Sequence, residues 1–306
     1  MTAVTFCSIA TRDHVAAAIG ALQSIRAWHP DAHYALLRVE TPRDSALPHW
    51  LRAVAIEDCI APTALGSMRR DYSLAELCFA AKPFLLQRLL AEGAEQVHYF
   101  DADCRAYAPL TPLLEQLDGA DLLLTPHALS PIPDDGHTPR PLTLLRAGVF
   151  NAGYLGVRNT DQGRAFAAWL ADRTLAHAKN APQLGMCGDQ RWLDLVPALF
   201  PGVAICRHRG ANVAYWNLHE RTLGDAGTFT VDGEPLLFFH FSGFEPQHPG
   251  QLSRYQDRVT VEPRSVLHRL LQDYAAQCVS PAAAPSRLET LKRLAQALRP
   301  ATTRGT

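Results

Sequence analysis

Residues 96–107 read Gln-Val-His-Tyr-Phe-Asp-Ala-Asp-Cys-Arg-Ala-Tyr. The apolar run Gln96 to Phe100 has the length and composition of a short buried strand, and it breaks directly into two carboxylates, Asp101 and Asp103. Two residues apart in extended chain, both side chains emerge at one edge of a sheet. There they can share a hard cation such as Mg²⁺ or Mn²⁺, which takes oxygen ligands and bridges an enzyme to substrate phosphates. Alone, Asp-x-Asp is a weak signal, because acidic turns after strands are common. Its weight comes from what surrounds it.

Upstream, Ala3 to Ile9 reads as a strand, followed by Val15, Ala18, Ile19 and Leu22 at helical spacing. His33 to Val39 is a second strand, and the apolar stretch Ala75 to Leu90 is a helix interrupted or kinked near Pro83. Downstream, Asp121 to Thr125 and Ala147 to Val157 read as strands, followed by a helix facing inward through Phe166, Trp169 and Leu170. Trp192, Leu195, Val196 and Leu199 mark another amphipathic helix, and Pro235 to Phe241 a late strand. Such alternation predicts an α/β fold with a mixed, mostly parallel sheet covered by helices on both faces, and ligands at the carboxyl ends of its strands. The Pro- and Gly-rich segment 129–142 reads as a loop that closes over a ligand.

The chain has 306 residues, enough for one catalytic domain over 1–260 and a C-terminal helical extension over 261–306. That extension carries two helical patterns, Leu267 to Tyr274 and Leu291 to Leu298. Lys plus Arg total 29 against 30 for Asp plus Glu, so no strong field holds nucleic acid, and any phosphate binding is local. Seven scattered cysteines without a Cys-x-x-Cys pair read as reduced thiols of a cytoplasmic protein. The sequence has neither a signal-like start nor an apolar run long enough to span a membrane. Peripheral membrane association stays open.

Several ordered pieces of the chain resemble the GT-A glycosyltransferases, especially family 8, the glycogenin-like and bacterial lipopolysaccharide galactosyl- and glucosyltransferases. They are Ala10-Thr11-Arg12-Asp13-His14 with Ser24-Ile25, Tyr99 to Asp103, Phe150-Asn151-Ala152-Gly153-Tyr154-Leu155-Gly156-Val157, Gly188-Asp189-Gln190 and His240-Phe241-Ser242-Gly243. Together they span residues 3 to about 245. The resemblance implies a Rossmann-like nucleotide-sugar-binding fold and transfer of a hexose from a UDP-sugar donor, with retention, to a glycan, lipid-linked or protein acceptor. It implies Mn²⁺ or Mg²⁺ held by Asp101, Asp103 and His240.

The same resemblance assigns Ala10, Thr11, Asp13, Lys82, Asp101, Ala102, Asp103, Asn151, Ala152, Gly153 and Gly243 to the nucleotide-sugar, and Asp189 and Gln190 to catalysis. Trp216, Asn217 and His219 fall on the acceptor side. Plain structural readings stand beside these. Asp13 or Asp189 can cap a helix, Lys82 can be a solvated helix lysine, Asn151 to Gly153 can be a strand bulge, and Trp216 or His240 can be core residues. The chain departs from the family in lacking the lysine and tryptophan that follow the late histidine and glycine, and Lys82 or Arg254 are the available replacements for the lysine. Two other functions compete. A nucleotidyltransferase needs a Gly-rich basic loop after the first strand, which Thr11 to Gly20 lacks, and a non-catalytic carbohydrate-binding module has no need of the acidic pair.

Overall fold

The computed structural model describes residues 4–40 and 47–279. In chain order the first half holds β1 (Val4–Ala10), α1 (Val15–Arg26), β2 (His33–Arg38), β3 (Arg52–Ala55), α2 (Pro62–Asp71), α3 (Leu74–Ala91), β4 (Gln96–Phe100), β5 (Cys104–Ala106), α4 (Thr111–Asp118) and β6 (Leu122–Pro126). The second half holds α5 (Pro141–Ala147), β7 (Phe150–Arg158), α6 (Asp161–Thr174), β8 (Asn180–Ala181), β9 (Met186–Cys187), α7 (Val196–Leu199) and β10 (Val203–Ile205). It closes with β11 (Leu223–Asp225), β12 (Phe229–Val231), β13 (Glu234–Pro235), β14 (Phe238–His240) and α8 (Val266–Val279).

Seven strands form the central sheet in the order β10-β6-β7-β4-β1-β2-β3. The neighbours β1, β2, β3 and β4 pair in parallel, as do β6 and β10, whereas β7 runs antiparallel between β4 and β6. The sheet is therefore α/β and mostly parallel, as the alternation predicts. Successive residues of β2 feed opposite cores: Ala35 and Leu37 pack with α2, α3 and α6, while Tyr34 and Leu36 pack with α1 and α4. Phe166 and Leu170 of α6 are fully buried, each contributing about 1.5–3 kcal/mol of hydrophobic free energy.

The chain leaves β1 toward β2 and β3 on one side and returns to β4 on the other. That reversal opens a crevice at the carboxyl ends of β1 and β4, where open α/β sheets bind ligands. The Asp-x-Asp segment sits at its rim.

Three local expectations need correction. α3 runs through Pro83 without interruption, started by a reciprocal Ser73–Glu76 capping box and held by its buried residues Leu77 to Leu90. The apolar run 235–241 is two strands because the chain changes partner within it: the Leu236 N–H still donates to the Phe229 carbonyl of β12, whereas the Leu237 N–H donates to the Gly210 carbonyl. Residues 190–195 form a 3₁₀ helix followed by the single turn α7. At three residues per turn Leu193 and Val196 face inward, leaving Leu195 and Leu199 about half exposed.

A third core joins β11, β12, β14 and α8, with Tyr274 stacked on Phe241 at 3.7 Å between ring centroids. The helical pattern Leu291 to Leu298 lies outside the described residues.

Candidate active site

Two strand pairings assemble the centre. β4 runs beside β7, and the Asp101 N–H donates to the Gly153 carbonyl at 2.9 Å. The short ribbon of β5 and β14 sets His240 directly opposite Cys104, and the Phe241 N–H donates to the Asp103 carbonyl at 2.8 Å. A residue 137 positions further along the chain than Asp103 is thereby delivered to it. His240 Nε2 lies 3.0 Å from Asp103 Oδ1 and 3.9 Å from Asp101 Oδ2. Tyr99, two residues before Asp101 and so on its side of the strand, donates its hydroxyl to Asp101 Oδ1 at 2.6 Å.

Burial pushes the His240 pKa down, but the Asp103 carboxylate beside it more than reverses this and holds it well above the ordinary value. Partial burial raises Asp103, and His240 outweighs that to bring it below the usual carboxylate range. Two carboxylates facing one imidazole nitrogen need a positive charge between them, either a proton or a cation. Oxygen and imidazole donors suit Mn²⁺ or Mg²⁺. One ligand atom each from Asp103, Cys104 and His240 lies within 4.8 Å of the others, yet burial pushes the Cys104 thiol up to about 11, which leaves it protonated at neutral pH. The fit is to Asp101, Asp103 and His240.

Beside this cluster lies a cavity of about 110 Å³ bordered by Lys82, Asp101, Gly153, Asp189 and Gln190, among others. Lys82 points from α3 into its floor, 1% exposed. Its ammonium donates to the Ala152 carbonyl at 2.7 Å, lies 2.8 Å from Asp189 Oδ2 and 4.0 Å from Asp101, and sits 4.4 Å over the Tyr99 ring. Burial alone would lower the lysine pKa; Asp189 and Asp101 outweigh it and keep it above the usual value. Asp189, itself 2% exposed, is held above the ordinary range because burial outweighs the lysine. The structure thus surrounds Lys82 with protein partners in the core, in place of the solvated helix lysine. Asp189 caps no helix with its side chain.

Asn151 to Gly153 lie where β7 departs from its ladder with β6. Leu124 pairs with Leu155, yet the next residue, Thr125, pairs with Asn151. The bulge read from sequence is present, and it turns backbone groups inward instead of into the sheet. The Gly153 N–H donates to Asn151 Oδ1 at 3.1 Å and the Ala152 N–H to Gln190 Oε1 at 3.1 Å. Asn151 Nδ2 also donates to Gln190 Oε1, at 3.1 Å, and Gln190 Nε2 to the Ala147 carbonyl at 2.9 Å. Both lone pairs of the Gln190 oxygen are engaged.

The three residues assigned to the acceptor side lie buried or half-buried. Trp216 is 4% exposed and packs edge-on against both His127 and His240, at 5.1 Å each, so its face is closed to a sugar. Asn217 is buried and serves backbone groups, accepting from the Ala214 N–H and donating to the His127 and Asn212 carbonyls. Both ring nitrogens of His219 are buried without a hydrogen-bond partner, and the residue does not border the cavity. Of the three, Asn217 serves the backbone of the loop beneath the centre. The loop needs its backbone satisfied because it is buried.

Ala10 ends β1 at the crevice, and Thr11 accepts or donates at His14 Nδ1, 2.8 Å away. Asp13 is exposed within the 3₁₀ turn Arg12–His14 and does not cap α1. Ala102 is half-buried between the two aspartates. Gly243 adopts φ 71° just past His240, a turn where a Cβ would lie 2.5–2.7 Å from Tyr255 and Ser253. Its carbonyl accepts from the Arg254 N–H at 3.0 Å, and the Arg254 guanidinium engages Glu245 and the Tyr255 hydroxyl. The segment 129–142 is fastened: Arg258 pairs with Asp135 and donates to the carbonyls of Pro133, His137 and Pro139, and Glu220 accepts from the Leu129 N–H. Sequence reading passed over His127 and Asn212, which lie in no periodic or motif-like context, and over Cys104, which directly follows the acidic pair; Tyr99 was legible from its place two residues before Asp101.

No family model matches the chain. It is 34% identical over 179 residues to the uncharacterized protein YfnF of Bacillus subtilis (strain 168), a match covering 57% of this chain and 58% of that one, so under two thirds of YfnF's length. With YfnD of the same organism it shares 27% identity over 254 residues, 80% of this chain and 79% of that one. Among solved structures, the galactosyltransferase LgtC in complex with donor and acceptor sugar analogues superposes with a TM-score of 0.52 at 16% identity, covering 92% of this chain and 97% of that one. A central sheet of this order, an acidic pair at the switch point and this superposition lead to one conclusion: the chain has the GT-A fold of the nucleotide-sugar glycosyltransferases.

Proposed function

We propose that the chain is a glycosyltransferase that moves a hexose, with retention, from a UDP-sugar to a glycan, lipid-linked or protein acceptor in a Mn²⁺- or Mg²⁺-dependent reaction. The observation that supports this best is the convergence of Asp101, Asp103 and His240 beside a cavity bordered by Asp189 and Lys82. A divalent ion held by Asp101, Asp103 and His240 would neutralise the diphosphate leaving group. Ala10, Thr11 and Asp13 lie at the end of β1, in place to take the nucleotide, and Gly243 and Arg254 flank the turn after His240.

Asp189 is an anion kept in a water-poor pocket by Lys82, placed to accept hydrogen bonds from sugar hydroxyls and to favour positive charge that develops at the anomeric carbon. Ala152 and Gly153 let the sugar approach the backbone closely, because neither carries a side chain beyond Cβ. The fastened segment 129–142 and the buried wall formed by Trp216 and His127 limit water at the centre.

Calorimetry with UDP tests the reading. Wild-type protein should bind UDP tightly with Mn²⁺ and weakly with chelator, and Asp103→Ala should remove the difference. Equal affinity under both conditions in the wild type would refute a metal-bridged diphosphate.

A further inference from the structure

The hydrogen-bond network behind the metal ligands can be solved from its fixed ends. The Gly153 N–H can only donate, so the Asn151 atom 3.1 Å from it is the amide oxygen. That same oxygen lies 3.2 Å from His240 Nδ1 and 3.3 Å from Asn212 Nδ2. An oxygen cannot donate, so the proton between Asn151 and His240 sits on Nδ1. Nε2 is the atom facing Asp103 and Asp101, so with Nδ1 holding its proton a cation between the carboxylates displaces only the Nε2 proton and takes that lone pair.

The other half of the amide is fixed independently. The Ala152 N–H identifies Gln190 Oε1 as an acceptor, so the Asn151 atom 3.1 Å from it is the NH₂. On the far side, the Val149 carbonyl lies 3.3 Å from His127 Nδ1, which puts the His127 proton there and leaves Nε2 to accept from Asn151 Nδ2 at 3.3 Å. Three backbone groups of known polarity therefore agree on one orientation. Asn151 is 6% exposed and its five contacts use both ends of the amide.

We infer that Asn151 is a positioning residue that acts through two others: its oxygen locks His240 in the tautomer that presents Nε2 to the cation, while its NH₂ locks Gln190 at the wall of the sugar cavity. One side chain thereby joins the metal half of the centre to the sugar half. Gly153 is part of the device, since a Cβ there would stand 2.6 Å from His240 Nδ1 and 2.8 Å from Asn151 Oδ1. The inference rests on the metal reading above, and outer partners of metal-bound histidines typically change metal affinity about 10- to 100-fold when removed.

Mn²⁺ titrations followed by electron paramagnetic resonance of the free ion, without donor or acceptor, separate the two halves. Asn151→Ala should weaken Mn²⁺ binding about 10- to 100-fold. Asn151→Asp keeps the acceptor for His240 and loses the donor to Gln190 and His127. It should bind Mn²⁺ no more weakly than wild type, while its kcat at saturating Mn²⁺ falls at least tenfold. Should Asn151→Ala fail to fold, ¹⁵N chemical shifts of His240 in Mg²⁺-loaded wild-type protein decide, with a protonated Nδ1 expected. An Asn151→Ala affinity within threefold of wild type, an Asn151→Asp affinity as weak as that of the alanine variant, or a protonated Nε2 overturns the inference while leaving the metal reading intact. Wild-type protein that binds no Mn²⁺ overturns both.

Discussion

The pair formed by Lys82 and Asp189 is the contact whose removal has the best-defined consequence. In Lys82→Met the aliphatic stem is replaced at similar length, and the ammonium that lies 2.8 Å from Asp189 and 2.7 Å from the Ala152 carbonyl is deleted. Asp189 is then a buried carboxylate with no cation within contact distance, which costs about 3–5 kcal/mol. The Ala152 carbonyl loses its donor as well, a further loss of about 1–3 kcal/mol that overlaps with the first. About 4 kcal/mol in total corresponds to a fall of roughly 10 °C in Tm for a domain of this size.

Adding Asp189→Asn removes the stranded charge, so the double variant should recover about 2 kcal/mol relative to Lys82→Met alone. The sign with pH also follows. Burial already holds Asp189 above its ordinary pKa, and without the lysine only a backbone hydrogen bond opposes it. The penalty for Lys82→Met is therefore full above the raised pKa and fades as pH falls toward the ordinary carboxylate value, so it is larger at pH 8 than at pH 5. Urea unfolding in chelator, which keeps added cations out of the comparison, measures all three proteins. A penalty below about 1 kcal/mol for Lys82→Met, or a double variant less stable than the single one, would refute the reasoning.

Two other outcomes are expected. Arg258→Ala removes the guanidinium that ties Asp135 and three carbonyls of the 129–142 segment, so amide exchange across 133–139 should accelerate at least tenfold; unchanged exchange would show that other contacts hold the segment. Glu92, with its pKa brought down to about 2 chiefly by its hydrogen bonds to Arg52, stabilises the fold above its ordinary value of 4.5, and this contribution is lost as pH falls through about 2. Glu92→Gln should therefore cost about 0.5–1 kcal/mol at pH 7 and progressively less below pH 4.5, and a cost that does not change between pH 7 and pH 3 would contradict it.

The one-dimensional pattern was enough for the sheet and for the acidic pair. The short apolar run Gln96 to Phe100 and the 3.6-residue period of the flanking helices are local properties, and they placed Asp101 and Asp103 at a strand end. Tyr99 was legible for the same reason. Where backbone pairing overrode apolarity, the pattern misled: a change of partner between Leu236 and Leu237 splits the run 235–241, and the 3₁₀ pitch of 190–195 buries Leu193 where a 3.6-residue pitch would bury Leu195.

What only the tertiary structure decided is which distant residues meet. The pairing of β5 with β14 brings His240 onto Asp103, and the packing of α3 under β7 carries Lys82 to Asp189 across 107 positions of sequence. Nothing local distinguishes Trp216 as a wall of the centre from a surface aromatic, because its burial is supplied by His127, just past β6, and His240 at the end of β14. The orientation of one amide, Asn151, is fixed by backbone N–H groups that a bulge turns inward. A sequence records that Asn151 is present, but the direction of its hydrogen bonds exists only once those groups converge on it.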